Sequence, residues 1–367
     1  MKILYWTELF WPHIGGIEVL STQLISALQE RGHEFAVVTS HSHLELPDED
    51  IHKGIPIYRF HFLTALNNNN LRQLITARQQ VAKLKQSFKP DLVHLHLSGP
   101  SAYFHLQTET AHPAPTLITI HSLPKHRSKQ HGLLTRTLQN ASWINTVSTT
   151  TLDELYQLVP EIKSRSSVIY NGLKMPKLEP TSLPFEPPQL LCIGRFLAWK
   201  GFDLAINAFA TLQERFPQTR LVIAGDGPTK PDLEQLVAKL NLNHKITFTG
   251  WIIPEKIAAL INTTTIVIIP SRTGEMLPVV ALQAAQMARP VIATRVAGLP
   301  EFVKHQQTGL LVERDNSTAL ANAIAFLLEH PEMATRIGQV ARQTTQKVFS
   351  LKQCVDAYNK LYKSFYV

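Results

Sequence analysis

The segment from Ile266 to Thr294 constrains the fold of this chain more than any other part of its sequence. Its first residues, Ile266 to Ile269, form an apolar, β-branched run that ends at Pro270, as a buried parallel strand does. An apolar helix is predicted from Val279 to Ala288, and a second strand begins at Val291. Strand, loop, helix and strand in this order are the unit from which parallel α/β sheets are built.

The loop and helix of this segment carry two polar residues eight positions apart. Glu275 lies just before the helix and Gln283 lies within it, so both side chains fall on nearly one face, about 12 Å apart along the axis. The helix N-terminus between them offers free N–H groups and partial positive charge. This arrangement suits an extended anionic ligand with hydroxyl groups at its ends and phosphates in the middle, such as a sugar nucleotide. Taken alone, the stretch favours a simpler interpretation, a solvated Glu275 and a Gln283 packed on its helix.

The same alternation of strand and helix recurs along the chain. It opens with a predicted strand at Ile3–Trp6, a helix at residues 17–31 behind the pair Gly15-Gly16, and a strand at residues 35–39. It restarts with a strand at Leu190–Ile193. The sequence therefore predicts the α/β class, with two Rossmann-like domains that each contain a doubly wound parallel sheet.

Proline density marks the boundary between these domains. Residues 174–188 contain five prolines, which favour an extended connector without helix or strand. We predict a first domain at residues 1–173, a linker at 174–188 and a second domain at 189–348. The last segment, residues 349–367, is predicted to be a helix that packs back on the first domain.

Length and composition narrow the class of protein. With 367 residues, 44% hydrophobic and 17% charged, the chain can form two globular α/β domains. Its formal charge of +8 favours anionic partners, and nucleotides, acidic glycans and anionic lipid surfaces all stay open. We expect no membrane span, because the longest apolar runs are too short, and no signal peptide, because the residues from Met1 to Trp6 read directly as a strand. Cys192 and Cys354 lack metal-ligand spacing, which indicates a reducing compartment.

Acidic residues and histidines of the first half give weaker signals. Asp48 and Asp50 form a D-x-D tripeptide, but it lies in a polar loop, and we interpret it as a solvated acidic turn. His94 and His96 share one face of a predicted strand without a third ligand at suitable spacing. They indicate packed histidines, and we predict no metal site. His121 differs because it ends a parallel strand, where open α/β sheets bind ligands.

Two groups of positive charge follow predicted strands. Arg195 and Lys200 lie on the loop behind the strand at 190–193, just ahead of a helix. Two fixed cations beside a helix N-terminus suit a diphosphate, and a structural ion pair is the alternative for either residue. The basic loop Lys125–His131 is by default a solvated charge run, and the alternative is a surface for an anionic acceptor or membrane.

Together these features make the chain resemble the retaining GT-B glycosyltransferases of glycosyltransferase family 4. The resemblance runs nearly from end to end, and its motifs keep the order and spacing of the family. These motifs are Gly15-Gly16, Arg31-Gly32-His33, Tyr170-Asn171-Gly172, Gly194-Arg195 through Lys200-Gly201, Ala224 to Pro228, Glu275 with position 283, and Ala297 to Glu301. The resemblance implies two Rossmann-like domains that face each other across a cleft, with the nucleotide sugar bound by the second.

The resemblance also implies a role for each matched residue. Four residues would be catalytic. Arg195 and Lys200 would bind the donor diphosphate, Glu275 would bind hydroxyl groups of the donor sugar, and His121 would face that sugar. The other donor-binding residues would be Gly15, Gly16, Gly250, Trp251, Ile252, Met276, Leu277, Pro278, Val279 and Gln283.

Position 283 departs from the family pattern, which usually has a glutamate that accepts both ribose hydroxyls. A carboxylate accepts two charge-assisted hydrogen bonds, whereas the Gln283 side chain offers one oxygen acceptor and an amide donor. We expect a loss on the order of 1–2 kcal/mol in nucleotide binding, up to ~30-fold in affinity. The sugar end of the site is not affected by this change.

The implied function is metal-independent transfer of a hexose-type sugar, with retention, from a UDP-sugar or GDP-sugar to a hydroxyl group of a glycan, glycolipid or small molecule. The rate would come from positioning and from charge stabilisation of the leaving diphosphate. No cofactor besides the nucleotide sugar and no nucleic acid is expected. The common setting of the family predicts a cytoplasmic protein, and the basic loops predict peripheral contact with the inner face of an anionic membrane.

Two alternatives to this function stay open. The first is a binding or scaffold protein with the GT-B fold, in which Gln283 has weakened the donor site. Such a protein would neither bind nor hydrolyse nucleotide sugars. The second is a nucleotide-sugar epimerase on the same fold, which would release a free 2-epimer without any acceptor. A dehydrogenase is disfavoured because no G-x-G-x-x-G follows a predicted strand.

Overall fold

The chain consists of two separate structural units. A computed structural model describes residues 1–42, 44–68, 70–97, 101–121, 123 and 130–366. The first unit comprises Met1–Gly172 together with Leu351–Val367, and the second comprises Leu173–Ser350. The division thus lies next to residue 174, where the prolines of the sequence begin.

Strands and helices alternate through both units, as the repeated apolar pattern predicts. The strands are β1 (Lys2–Thr7), β2 (Glu34–Ser40), β3 (Glu49–His52), β4 (Ile55–Phe60), β5 (Leu92–Leu97), β6 (Thr116–Ile120), β7 (Trp143–Thr146), β8 (Ser166–Val168), β9 (Gln189–Ile193), β10 (Arg220–Ala224), β11 (Ile246–Gly250), β12 (Ile266–Ile269), β13 (Val291–Thr294) and β14 (Leu310–Val312). The helices are α1 (Gly16–Gln29), α2 (Phe62–Asn67), α3 (Leu71–Phe88), α4 (Ala102–Leu106), α5 (Gln130–Asn140), α6 (Thr149–Leu158), α7 (Phe202–Leu212), α8 (Lys230–Lys239), α9 (Pro254–Asn262), α10 (Val279–Gln286), α11 (Leu299–Phe302), α12 (Ser317–Glu329), α13 (Pro331–Val348) and α14 (Leu351–Lys363).

The sheet of the first unit has the order β3-β4-β2-β1-β5-β6-β7-β8. Successive side chains of β1 point to opposite faces, as in any strand. Ile3 and Tyr5 belong to one buried cluster, which includes residues of α1 and α14, whereas Leu4 and Trp6 belong to another, which includes residues of α3. The sheet is therefore covered by helices on both faces, which confirms the doubly wound architecture for this unit.

One edge of this sheet differs from the predicted all-parallel pattern. Strand β3 pairs antiparallel with β4, and the two-residue turn Lys53-Gly54 that joins them has positive φ at both positions. Such a turn matches the twist of a hairpin. The prediction of a solvated acidic turn at Asp48–Asp50 was therefore wrong, because Asp50 lies in β3 and pairs with Arg59 at 3.2 Å.

The sheet of the second unit is parallel throughout and has the order β11-β10-β9-β12-β13-β14. One face of this sheet is covered by a cluster of buried apolar residues from these strands and from α7, α8, α12 and α13. Leu191, Val267 and Val291, which alternate with residues of this cluster along their strands, are buried on the other face. From β9 the chain first winds towards β11, and from β12 it winds in the opposite direction. The switch point between β9 and β12 is where open α/β sheets bind their ligands.

The C-terminal helix α14 packs on the first unit. Its Tyr358 and Tyr362 are buried, and the Tyr362 hydroxyl lies 2.6 Å from Nδ1 of His94. At the helix surface, Asp356 pairs with Arg31 at 2.7 Å. The last segment of the chain thus completes the helical layer over β1 and β5.

The proline-rich residues 174–188 contain no regular helix or strand, but they are fixed to the second unit. The fully buried Arg289 donates to the Thr181 carbonyl oxygen at 2.9 Å and to its hydroxyl at 3.0 Å. The Thr181 N–H donates to Oδ1 of Asn262 at 2.9 Å. Burial lowers the pKa of Arg289 to about 10, and the guanidinium is still charged at neutral pH.

Among the described residues, none of the helices combines the length and the apolar character that crossing a bilayer requires.

Candidate functional site

The candidate donor site lies at the carboxyl ends of the strands of the second unit. Arg195 and Lys200 follow β9, and Glu275 follows β12. Because β9 and β12 are parallel neighbours at the switch point of the sheet, the loops behind them start at the same edge. The structure therefore brings together residues that are 75 positions apart in the sequence.

Lys200 and Glu275 form an ion pair between Nζ and Oε1. Glu275 is buried, with 5% of its surface exposed, and its Oε1 also accepts a hydrogen bond of 2.8 Å from the Ser271 hydroxyl. Nζ of Lys200 lies 4.6 Å from the centre of the Trp199 ring, which is a cation–π distance. Within the protein, Lys200 thus forms the structural ion pair that was the alternative interpretation for this residue.

Arg195 is in a different environment. Its side chain is exposed, and within the described ranges no hydrogen bond or ion pair of its guanidinium occurs. An exposed, unpaired guanidinium at a ligand-binding edge can bind two oxygens of a phosphate group without first breaking a contact. Of the two predicted cations, Arg195 is therefore the one that is ready to bind an anion.

A short 3₁₀ helix, Ala198–Lys200, holds Lys200 in position. It ends at Gly201, which has a left-handed φ of +68°, and a Cβ at this position would overlap the carbonyl oxygen of Pro270. The Arg272 N–H donates to the Trp199 carbonyl oxygen at 2.7 Å. The loops behind β9 and β12 are thus joined through their backbones, and glycine is needed where they approach most closely.

The side chain of Arg272 also connects the two loops, and no local sequence pattern indicates this role. Its guanidinium makes two hydrogen bonds of 2.7 and 2.8 Å to the carboxylate of Asp203, and a third of 3.0 Å to the Ala198 carbonyl oxygen. A fourth bond of 2.7 Å reaches Asp315. The hydrogen bonds from Arg272 are also the main reason why the pKa of Asp203 is lowered.

Helix α10 begins at Val279, four residues after Glu275. Its N-cap is Pro278, which makes no side-chain capping bond, so the first N–H groups of the helix need other partners. Met276 and Leu277 are buried, whereas Pro278, Val279 and Gln283 are partly exposed. The N–H of Gly298 donates to the Glu275 carbonyl oxygen at 2.9 Å, so that the loop behind β13 fixes the backbone of the acid.

Gln283 lies within α10, as predicted, about one turn from its start, and its side chain makes no hydrogen bond to any described residue. The helix itself ends at Gln286, two residues earlier than predicted, because Ala288 has a left-handed φ of +53°. Gly250 ends β11 with φ +70°, and the following Trp251 is 57% exposed while Ile252 is partly buried. The predicted base-binding segment is thus at the carboxyl edge of the same sheet.

In the first unit, His121 directly follows β6 at the carboxyl edge of its sheet. It is buried, and its Nε2 lies 2.8 Å from Nδ1 of His96 on the neighbouring strand β5. His94 is also buried and bonds to Thr119 and Tyr362. The two histidines of β5 are therefore packed within the unit, and burial lowers the pKa values of both well below the ordinary range.

The other predicted residues of the first unit are placed as follows. Gly15 is the N-cap of α1 and Gly16 is its first residue; Gly15 has an extended backbone that any residue can adopt. Asp48 lies 2.8 Å from Nε2 of His41. The basic loop Lys125–His131 lies outside the described residues, apart from the backbone of its last two positions in α5.

His41, Asp48 and His61 form a cluster of three groups of the kind that binds metals. The rings of His41 and His61 are stacked, with centroids 4.1 Å apart and planes inclined by 14°. Ring-nitrogen lone pairs lie in the ring planes, so two nearly parallel planes cannot both direct a lone pair at one ion. The cluster is therefore better described as a histidine stack with an ion-pair partner.

Two doubly wound units, with cations and a buried acid at the switch point of the second sheet, define the class of GT-B glycosyltransferases. The profile described as Glycosyltransferase Family 4 matches residues 14–175, and the one described as Glycosyl transferases group 1 matches residues 177–344. These two matches span most of the sequence, and the chain belongs to glycosyltransferase family 4.

Similar proteins agree with this assignment. An uncharacterized glycosyltransferase of Methanocaldococcus jannaschii is 27% identical over 99% of this chain and 98% of its own length. The sucrose-phosphate synthase of Thermosynechococcus elongatus has the same fold, with a TM-score of 0.86 and 24% identity over 100% of this chain and 99% of that chain. Anabaena HepE in complex with UDP-glucose has a TM-score of 0.82 and 21% identity over 99% of this chain and 100% of that chain.

Proposed function

We propose that this glycosyltransferase moves a hexose-type sugar from a nucleotide diphosphate sugar to an acceptor hydroxyl group, with retention at the anomeric carbon. The observation that carries the proposal is the buried Glu275 at the switch point, held by Ser271 and Lys200. Arg195 lies at the same sheet edge and has no partner among the described residues. One acid and two cations at the same edge of the sheet suit a ligand with hydroxyl groups, which the acid can bind, next to phosphates, which the cations can bind.

In this proposal the phosphate end of the donor is bound by cations. Arg195 would bind the diphosphate through its guanidinium fork, because no described residue competes for it. Lys200 would be shared, since a phosphate oxygen can approach Nζ while Glu275 holds the same ammonium group from the other side. As the glycosidic bond breaks, negative charge grows on the leaving phosphate, and fixed cations at that place lower the barrier.

The sugar end would be bound by Glu275. Ser271 and Lys200 both bond to Oε1, and Oε2 makes no hydrogen bond to any residue that the structure describes. A carboxylate oxygen of this kind accepts hydrogen bonds from sugar hydroxyl groups, and its orientation is already fixed by the two bonds to Oε1. Glu275 would therefore orient the donor sugar rather than attack it.

Retention would follow from displacement on the front face of the sugar. The acceptor oxygen forms a bond to the anomeric carbon, the bond from that carbon to the phosphate oxygen breaks, and the acceptor proton passes to the leaving phosphate. No bound metal is needed in this scheme, because Arg195 and Lys200 neutralise the diphosphate charge. A reaction rate that is unchanged by a chelator is the expected result.

A UDP-sugar is the first donor to test, because HepE, which shares the fold, was solved with UDP-glucose. The nucleotide end of the proposed site includes Gly250, Trp251 and Ile252, and Gln283 stands where the family has its ribose-binding acid. Contact with an anionic membrane depends on the basic loop outside the described residues and stays a prediction, as does a cytoplasmic location.

A donor screen tests the proposed function. UDP-glucose, UDP-N-acetylglucosamine and GDP-mannose are incubated with the protein and a panel of glycan acceptors, and products are identified by mass spectrometry and anomeric NMR coupling. We expect one donor to be consumed, with an α-linked product from an α-linked donor. A β-linked product contradicts retention. A free 2-epimer without acceptor indicates an epimerase, and neither binding nor hydrolysis of any donor indicates a binding protein.

A further inference from the structure

The pair His96–His121 in the first unit contains a hydrogen-bonding constraint that the proposed roles do not use. His96 lies on β5 and His121 directly follows β6, the neighbouring parallel strand. Nδ1 of His96 and Nε2 of His121 are 2.8 Å apart, with ring centroids separated by 5.0 Å. At this distance one hydrogen atom lies between the two nitrogens, and one ring donates while the other accepts.

Both rings are neutral near pH 7. Burial lowers the pKa of His121 to about 4, and burial together with the neighbouring His94 lowers the pKa of His96 well below the ordinary value. A neutral imidazole carries one N–H and one lone pair. The hydrogen that lies between the rings therefore also determines what the outer nitrogen of each ring can do.

The outer nitrogen of His96 decides between the two arrangements. Its Nε2 is buried and has no hydrogen-bond partner among the described residues. If His121 were the donor, His96 would have to carry its hydrogen on this Nε2, and a buried N–H would be left without an acceptor. If His96 donates from Nδ1, only a lone pair is left unpaired at Nε2. For backbone groups, an orphaned buried N–H is rarer than an acceptor with an unpaired lone pair, and we apply the same order to the ring nitrogens.

We propose that His96 is a positioning residue that donates from Nδ1 to Nε2 of His121 and so fixes His121 as an uncharged hydrogen-bond donor through Nδ1–H. The ligand group that suits this donor is a sugar hydroxyl oxygen, on either the donor sugar or the acceptor. The proposal rests on the proposed function for the identity of this ligand. The tautomer itself does not depend on the ligand.

The sequence offers substitutions that separate donation from packing. In His96→Asn, the side-chain amide can donate from about the place of Nδ1, so the tautomer of His121 is retained. In His96→Asp, the carboxylate can only accept, so His121 must donate from Nε2 and its tautomer is reversed. In His96→Leu, the constraint is removed. His94→Asn is the matched control, because His94 lies on the same strand and is equally buried but bonds to Thr119 and Tyr362.

The test is ¹⁵N NMR of histidine-labelled full-length protein, with the His121 signals assigned through His121→Gln. We expect the Nδ1–H tautomer of His121 in the wild type, in His96→Asn and in His94→Asn, and the Nε2–H form in His96→Asp. The Nε2–H form in the wild type overturns the proposal, as does a His96→Asn variant whose His121 signals match those of His96→Leu. This readout needs no substrate, so it stands even if no nucleotide sugar is bound.

Kinetics with UDP-glucose then identify the source of the hydroxyl group. If it belongs to the donor, the dissociation constant measured by calorimetry rises about tenfold in His96→Leu and His96→Asp, the loss of one positioned hydrogen bond, and little in His96→Asn. If it belongs to the acceptor, donor affinity is unchanged and the transfer rate falls by about the same factor. Equal affinity and equal transfer in all four variants overturn the proposed role in positioning.

Discussion

Three charged residues define the proposed donor site, and each has different partners within the protein. Glu275 is buried and bonded through one oxygen, Lys200 is shared between Glu275 and the Trp199 ring, and Arg195 is exposed and unpaired among the described residues. A diphosphate therefore finds one free cation and one that is already neutralised in part. Substitutions at these positions should separate binding of the nucleotide from binding of the sugar.

Glu275→Gln should reduce turnover without weakening nucleotide binding. The amide cannot accept charge-assisted bonds from sugar hydroxyl groups, which corresponds to about 10- to 100-fold in rate. At the same time Lys200 loses its anionic partner and becomes more available to phosphate. We expect the affinity for UDP, measured by calorimetry, to be equal to or higher than that of the wild type. A large loss of UDP affinity would show that Glu275 does not act at the sugar end.

Gln283→Glu should strengthen nucleotide binding. The side chain of Gln283 is partly exposed, and no described residue holds it, so a carboxylate can take its place without breaking a contact. Two charge-assisted bonds to ribose hydroxyl groups should tighten UDP binding by up to ~30-fold. Gln235→Glu, on the exposed side of α8, controls for the added charge and should leave the affinity unchanged. If Gln283→Glu and Gln235→Glu bind UDP with the same affinity, the side chain at position 283 does not contact the ribose.

At the scale of elements, the site is a set of loops that are bonded to one another. The 3₁₀ helix that carries Lys200 ends at Gly201, which packs closely against the backbone of Pro270. Arg272 fixes the same helix by donating hydrogen bonds to the Ala198 carbonyl oxygen and to Asp203. The backbone of Glu275 is held by Gly298. The positions of Lys200 and Glu275 therefore depend on residues to which the proposal gives no contact with the donor.

Arg272→Lys should loosen this loop. A lysine keeps the charge but cannot make the two parallel bonds to Asp203 and the bond to Ala198 at the same time. Since the pair with Asp203 is partly exposed, we expect a modest loss of stability, and a larger effect on UDP affinity, about 3- to 10-fold, through displacement of Lys200. Arg295→Lys, in the exposed pair with Glu313, is the control. Equal effects of the two variants would contradict a positioning role for Arg272.

The sequence predicts elements well where one local pattern determines them. The apolar runs of β9 and β12 and the helix α1, predicted at residues 17–31 and found at Gly16–Gln29, follow directly from hydrophobic periodicity. The hairpin of β3 and β4 was missed because its signal is a two-residue turn, Lys53-Gly54, in which lysine adopts an unusual positive φ. Arg272 was missed because its partners Asp203 and Asp315 are 69 and 43 residues away in the sequence. No local pattern reveals such contacts, nor the pairing of Lys200 with Glu275.

At the scale of the whole molecule, the two units differ in their buried ionisable groups. The first unit buries five of its described histidines, and burial lowers the pKa of each; they are His33, His94, His96, His105 and His121. In the second unit, the described buried charges include Arg289 and Glu275, which are bonded within the unit. The stability of the first unit should therefore depend on pH in the range where histidine titrates.

The sign of this dependence follows from proton uptake. Well above pH 6.5 the five rings are neutral in both the folded and the unfolded chain. As the pH falls below 6.5, the unfolded chain binds protons that the folded unit does not, until the pH reaches the folded pKa, about 4 for His121. In this range each buried histidine lowers the free energy of unfolding by about 1.4 kcal/mol per pH unit.

We expect the free energy of unfolding of the first unit to fall by about 5–7 kcal/mol between pH 7.5 and 5.5, the sum of about 1.4 kcal/mol or less from each buried histidine. Denaturant titrations of a Trp199→Phe, Trp251→Phe variant report this unit, because Trp6, Trp11 and Trp143 are then the fluorescent tryptophans. His105→Gln should reduce the loss by about a fifth, whereas His244→Gln, at an exposed position of the second unit, should not change it. A free energy that is constant over this range would contradict the assignment of neutral, buried histidines.

The most direct test of the central claim is calorimetry of UDP and UDP-glucose binding to Arg195→Ala, Lys200→Ala. The control is Arg220→Ala, Lys239→Ala, which removes the same charge from exposed positions of the same unit, one at the start of β10 and one at the end of α8. We predict that the first variant loses at least about 100-fold in affinity for both ligands, as expected for two charge-assisted phosphate contacts. The control should stay within about threefold of the wild type, since exposed charges away from the site contribute little. Wild-type affinity in Arg195→Ala, Lys200→Ala would contradict a donor site at this edge of the second sheet.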